Sequence, residues 1–121
     1  MKKYFFNLLT ITLLLPGCAA TALNHPDAAK IRITHVEPGK ECKFLGDVTG
    51  NQGNFFTGAY TSNSNLETGA RNDIKNKAAA MGGNVVAIIT QRAGHTISGN
   101  EFGAGGTQTN VTLSGNVYLC P

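Results

Sequence analysis

This sequence predicts a small α+β domain, ββαββ in order, with one helix lying across a mainly antiparallel sheet. Three observations carry that expectation. Leu66, Ala70, Ile74, Ala78 and Met81 recur at helical spacing and form one apolar stripe. Val85-Val86-Ala87-Ile88-Ile89 follows as a continuous, mostly β-branched run, the pattern of a strand buried on both faces. Near the end, Val111, Leu113, Gly115, Val117 and Leu119 fall on one face of a period-two segment. A chain of 121 residues has room for one such domain.

Residues 1–17 read as a targeting segment rather than as part of the fold. Lys2 and Lys3 supply a positive start, and Tyr4 to Leu15 form an apolar stretch shorter than the ~20 residues a spanning helix needs. Leu15-Pro16-Gly17-Cys18 resembles the lipobox of bacterial lipoproteins, with Pro16 where Ala, Ser or Thr is usual. That resemblance implies cleavage before Cys18, lipid on its thiol and acylation of the new amine. Several chains would anchor firmly where a single chain is marginal. Ala19, a residue other than Asp after the cysteine, is similar to an outer-membrane sorting signal. The alternative is cleavage after Ala20-Thr21-Ala22, which would release a soluble periplasmic protein without Cys18. Residues 18–29, small and polar around Asn24, His25 and Pro26, are expected to be an acylated tether, with 30–121 as the domain.

Within the domain, Ile31 to Val36 alternates as a half-buried strand and Pro38-Gly39 marks a turn. A second strand near Cys42 to Thr49 places Cys42, Phe44 and Val48 on one face by period two. Ser64-Asn65-Leu66-Glu67 reads as a capping box, with Ser64 as N-cap. Asp73 and Lys77 make an i,i+4 pair, and Gly82-Gly83 supplies a left-handed C-cap. Gln91 to Gln108 is expected to be a long Gly-rich loop holding His95 and Glu101.

With Cys18 acylated, Cys42 and Cys120 form an even pair in an oxidising compartment, which reads as a disulfide. A redox switch would want an exposed, low-pKa thiol. A zinc site would need His35 or His95 to join the pair, without any metal-ligand spacing to suggest it. The expectation is no metal and no cofactor beyond covalent lipid on Cys18. Setting aside Lys2 and Lys3, the net charge falls from +3 to about +1, which gives no electrostatic case for nucleic-acid binding.

The stretches Glu41 to Val48, Ala70 to Ala79, Gly82 to Val86 and Tyr118-Leu119-Cys120 carry C-K-x-L-G, A-R-N-D-x-x-N-x-A-A and G-G-N elements. With them the chain resembles an uncharacterised family of small Gram-negative lipoproteins bearing a domain of unknown function. That family is distantly similar to the lipoprotein sensor of the Rcs envelope-stress pathway, whose small α+β domain sits on an outer-membrane anchor. Where the sensor has four framework cysteines, this chain has Cys42 and Cys120. The resemblance implies a fold and a location, and no chemistry.

No catalytic constellation is legible. Gly103-Ala104-Gly105-Gly106-Thr107 lacks the Gly-Lys-Ser/Thr ending of a phosphate loop. His95, Ser98 and Glu101 lie without a nucleophile elbow. Phe55, Phe56 and Tyr60, in a polar loop, and Arg71 and Asn72, early in the helix, form the candidate partner surface. The expectation is a non-enzymatic envelope lipoprotein, held to the outer membrane by its lipid and facing the periplasm, that binds another envelope protein or component. Cell-surface exposure and a soluble periplasmic form are the alternative locations. An envelope-stress or redox sensing module is one alternative role. A small-ligand carrier or enzyme is the other, and it requires a concave site with converging polar groups.

Overall fold

The computed structural model describes residues 19–54, 58, 61–100 and 103–121; over 96–100 and 103–106 the description is of the backbone. Cys18, Phe55, Phe56, Tyr60 and Glu101 lie outside the described residues. Four strands and one helix are arranged as β1 (Arg32–Thr34), β2 (Lys43–Gln52), α1 (Asn63–Ala80), β3 (Val85–Asn100) and β4 (Gly103–Leu119), preceded by a 3-10 turn at Ala28–Lys30. The fold is α+β. The sheet order is β1-β3-β4-β2, with β1 parallel to β3 and the other pairs antiparallel.

The helix is one face of the core. Leu66, Ala70, Ile74 and Ala78 are fully buried against Val86, Val111, Leu113 and Val117 of the sheet. Small alanines let the helix approach closely, and at Gly50 there is no space for a side chain: a Cβ there would stand 2.6 Å from the Ala70 carbonyl and from Ile74. Met81 ends the stripe outside the core, 38% exposed, because it is the C-cap and the chain turns there.

Both helix ends are closed. The N-cap is Ser62, not Ser64: its Oγ accepts the Asn65 N–H at 3.1 Å. Two serines two residues apart offered the same chemistry, and starting earlier gives the helix another half turn before Leu66. Ser62→Ala is expected to cost about 1 kcal/mol in urea unfolding, with Ser64→Ala nearly neutral. At the other end Gly82 takes φ +83°, so that its N–H reaches the Ala79 carbonyl at 3.0 Å and the Gly83 N–H reaches Ala78 at 3.1 Å. These two bonds are a Schellman motif, and the positive φ is why glycine stands at 82.

Four strand expectations change. β1 covers only Arg32–Thr34, flanked by buried Ile31. In β2 a register shift between Phe44 and Gly46 leaves Leu45 as the extra residue. A bulge of this kind inverts the alternation. Phe44 therefore stands opposite Tyr118, ring to ring at 5.7 Å, while Val48 faces the helix; period two alone had put them together. In β3 only Val85 to Ala87 is buried on both faces; Ile89, unpaired between Ile88 and Thr90, is 64% exposed.

The largest change is at 91–108, which is not a loop. β3 and β4 remain paired from Val85↔Tyr118 out to Asn100↔Gly103. Glycine and small polar residues depress strand propensity, but a two-stranded ribbon needs only backbone pairing. The opposite side of the sheet from the helix carries a second, small cluster of Val85, Ala87 and Tyr118, on which Cys42 and Cys120 pack.

The sheet's outer strand is covered by the helix's charges. Asp73 Oδ2 accepts the Asn51 N–H at 2.9 Å, and Lys77 Nζ donates to the Thr49 carbonyl at 2.8 Å and to Asp73 at 3.0 Å. The i,i+4 pair thus occupies backbone groups of an edge strand that would otherwise be free to template another chain.

Candidate functional site

Two places concentrate polar chemistry, one at each end of the domain. At the first, Cys42 and Cys120 are joined, 78 residues apart in sequence. Asn84 braces the same end: its amide donates to the Cys120 carbonyl and accepts the Cys120 N–H, both at 2.8 Å. A side-chain amide has the donor and acceptor of a peptide group, so Asn84 extends the strand ladder by one rung beyond Leu119. Gly83 lets the end of the helix pack onto the last strand, since a Cβ there would stand 2.2 Å from the Val117 side chain. The Gly-Gly-Asn element is therefore a helix stop followed by a clamp on the last strand.

Beside the disulfide an open cleft of about 490 Å³ is lined by Arg32, Thr34, Glu37, Glu41, Val85 and the two cysteines, among others. The Tyr118 hydroxyl donates to Glu37 Oε1 at 2.7 Å. That bond, together with burial, raises the tyrosine above its ordinary value of 10.0. The sign follows: a phenol whose folded pKa is raised contributes stability that is present below pH ~10 and lost as pH rises through the folded value. Tyr118→Phe is expected to flatten the fall in stability above pH ~10, read from unfolding midpoints across an alkaline series. The cleft lining contains no histidine, and its two sulfurs are bonded to each other. Its groups can bind a ligand carrying both charge signs; no nucleophile with a base beside it is among them.

The second place is the N-terminal segment, and it departs from the expected tether. Residues 19–30 lie along α1. Thr21 N–H donates to Gln52 Oε1 at 2.9 Å, and the Thr21 hydroxyl contacts the same oxygen. Asn72 Nδ2 donates to the Thr21 carbonyl at 2.8 Å. Asn76, only 7% exposed, donates to the Ala22 carbonyl at 3.0 Å and accepts the N–H groups of Asn24 at 2.9 Å and His25 at 3.3 Å. Ala28 is then fully buried. Small polar residues read as linker because they carry no apolar pattern; here the pattern belongs to the helix, whose two asparagines one turn apart bind an extended backbone as a neighbouring strand would.

Of the proposed partner surface, Arg71 is exposed on α1 and Asn72 is engaged with Thr21. Phe55, Phe56 and Tyr60 are outside the described residues, as is the acylation residue Cys18. His25 is tied in through its backbone, and its Nδ1 accepts the Asp27 N–H at 3.1 Å. Sequence reasoning missed Gln52, Asn76, Asn84, Glu37 and Tyr118. Asn76 had one available signal, an amide that recurs one turn after Asn72. Among the described residues no three His, Cys, Asp or Glu side chains gather to hold a metal ion.

The model of a domain of unknown function, DUF4156, matches residues 23–120. The uncharacterized protein YjeI of Escherichia coli K12 is 34% identical over 119 residues, covering 98% of this chain and 97% of that protein. YjeI of Shigella flexneri matches with the same identity and coverage.

Proposed function

The chain belongs to the family of the domain of unknown function DUF4156, and from that premise we propose that it is a membrane-anchored envelope lipoprotein, acylated at Cys18, with a non-catalytic binding role. The observation that carries this reading is the docked segment after Cys18. Because Thr21, Ala22, Asn24 and His25 are bonded to Gln52, Asn72 and Asn76, lipid at Cys18 would hold the folded domain itself close to the bilayer. A disulfide-compatible pair fits the oxidising side of a membrane. Among the described residues no helix is long and apolar enough to cross a membrane, so on this reading attachment falls to the acyl chains. Binding of another envelope component is assigned to the cleft at the far end, whose lining includes Arg32, Glu37 and Glu41.

Metabolic labelling with an alkyne fatty acid tests the anchor. Wild-type protein is expected to carry label and sediment with membranes, and Cys18→Ser to do neither. An unlabelled wild-type protein whose first residue lies after Cys18 refutes the reading. Photo-crosslinking from position 41 in intact cells tests the binding role, with a discrete crosslinked species expected that Arg32→Glu weakens. Crosslinking indistinguishable from that of a probe on the helix's exposed face would remove the cleft from the proposal.

A further inference from the structure

We propose that the outer half of the β3–β4 hairpin lies against the head-group surface of the membrane that holds the anchor; this rests on acylation of Cys18. The two ends of the domain lie far apart along the sheet. β2 finishes at Gln52, which stands opposite Val111, and Val111 also stands opposite Ala93. Beyond that level residues 94–100 and 103–110 pair only with each other among the described strands. At ~3.3 Å per residue the ribbon runs about 25 Å past the end of β2, and Thr109 at its root is still buried. The disulfide, β1 and the helix C-cap are at the opposite pole, where Val85 faces Tyr118.

The N-terminal segment enters at the root of this ribbon. Thr21 is fixed to Gln52 and Asn72, and only Ala19 and Ala20 separate it from Cys18, a leash of at most ~10 Å. An upright domain with the hairpin turned away from the bilayer would need that leash to run the length of β2, roughly 30 Å. The short leash excludes that orientation. A bilayer within ~10 Å of the root of a ribbon more than twice that length meets the ribbon's flank or its end, and the cleft beside the disulfide points away from the membrane.

The ribbon's composition suits such a surface. Across 93–100 and 103–110 the sole ionisable side chain is His95; the rest are Gly, Ala, Ser, Thr, Asn, Gln and one Ile. Hydroxyls and amides hydrogen-bond to phosphate and ester groups, and a strip without lysine or arginine gains nothing from anionic lipid. Nor can the ribbon sink into hydrocarbon, because its unpaired edges would leave backbone groups without partners there. It rests at head-group depth.

The chain contains no tryptophan, so a single introduced indole reports position. Full-length acylated protein, its lipid verified by intact mass, is placed in phosphatidylethanolamine/phosphatidylglycerol vesicles bearing a head-group nitroxide lipid. Thr107→Trp, on the ribbon, is expected to be quenched several-fold more than Lys40→Trp, at the other pole. It is also expected to be shielded from iodide and indifferent to the phosphatidylglycerol fraction. His95→Trp repeats the measurement on the other arm, should Thr107→Trp disturb pairing. Equal quenching of ribbon and far-pole probes in acylated protein overturns the inference and leaves the anchor standing. A mass without lipid overturns both.

Discussion

Replacing Cys42 and Cys120 together by serine is expected to lower the free energy of unfolding by about 4 kcal/mol, the chain-entropy value for a closed loop of this size. The bond joins residues 78 apart, nearly the whole described domain, and such a loss is a large share of the ~5–15 kcal/mol typical of a folded protein. The loss is expected in stability rather than in shape. Asn84 holds Cys120 through two hydrogen bonds that do not involve sulfur, and the core between α1 and the sheet excludes the cysteines. Urea unfolding with and without reductant checks it: the midpoint should fall sharply while the native spectrum at zero urea is kept. An unchanged midpoint would mean that the last strand is secured without the crosslink.

The second large effect is expected at the helix's asparagines. Asn72→Ala with Asn76→Ala removes four hydrogen bonds to the N-terminal segment. At about 1 kcal/mol or somewhat less for each partly solvated bond, the pair should cost about 2–3 kcal/mol. That corresponds to roughly 10–20 °C in melting temperature for a domain of this size. Released from α1, residues 19–26 would become open to proteolysis while the sheet stays intact. Arg71→Ala, one position away but exposed and without a bond to the segment, should leave both readouts unchanged. This comparison separates loss of the docked segment from general damage to the helix.

These two sites also mark the boundary of what the residues alone reveal. The cysteine pair and the helix stripe are legible because each rests on a strong local rule: even pairing in an oxidising compartment, and apolar residues at a fixed period. Leu66, Ala70, Ile74 and Ala78 are buried as that period requires. Period two misplaces Phe44 because a single extra residue at Leu45 reverses the faces downstream, and no residue type announces a bulge there. The outer hairpin has the composition of a loop because its glycines and threonines lack an apolar side to count, although the backbone pairs along it.

The docked segment was the least legible, for a related reason. Nothing between Ala19 and Ala29 carries a periodic signal. The information lies fifty residues away, in two amides one helical turn apart that present donors and acceptors to a passing backbone. Asn84 is the same device used at the opposite end, where it takes the place of a strand neighbour for Cys120. The candidate site thus consists largely of side-chain amides standing in for peptide groups. A reading that sorts asparagine into caps, turns and solvent has no category for that use.

Amide hydrogen exchange at Thr21, Asn24 and His25 tests the docked segment most directly, because the N–H groups of these residues are the ones held by Gln52 and Asn76. Protection is expected at all three in the wild type, lost in Asn76→Ala at Asn24 and His25 while Val86 and Val117 stay protected. Exchange of these three amides at the rate of an unstructured peptide, in a protein whose core is fully protected, would contradict it.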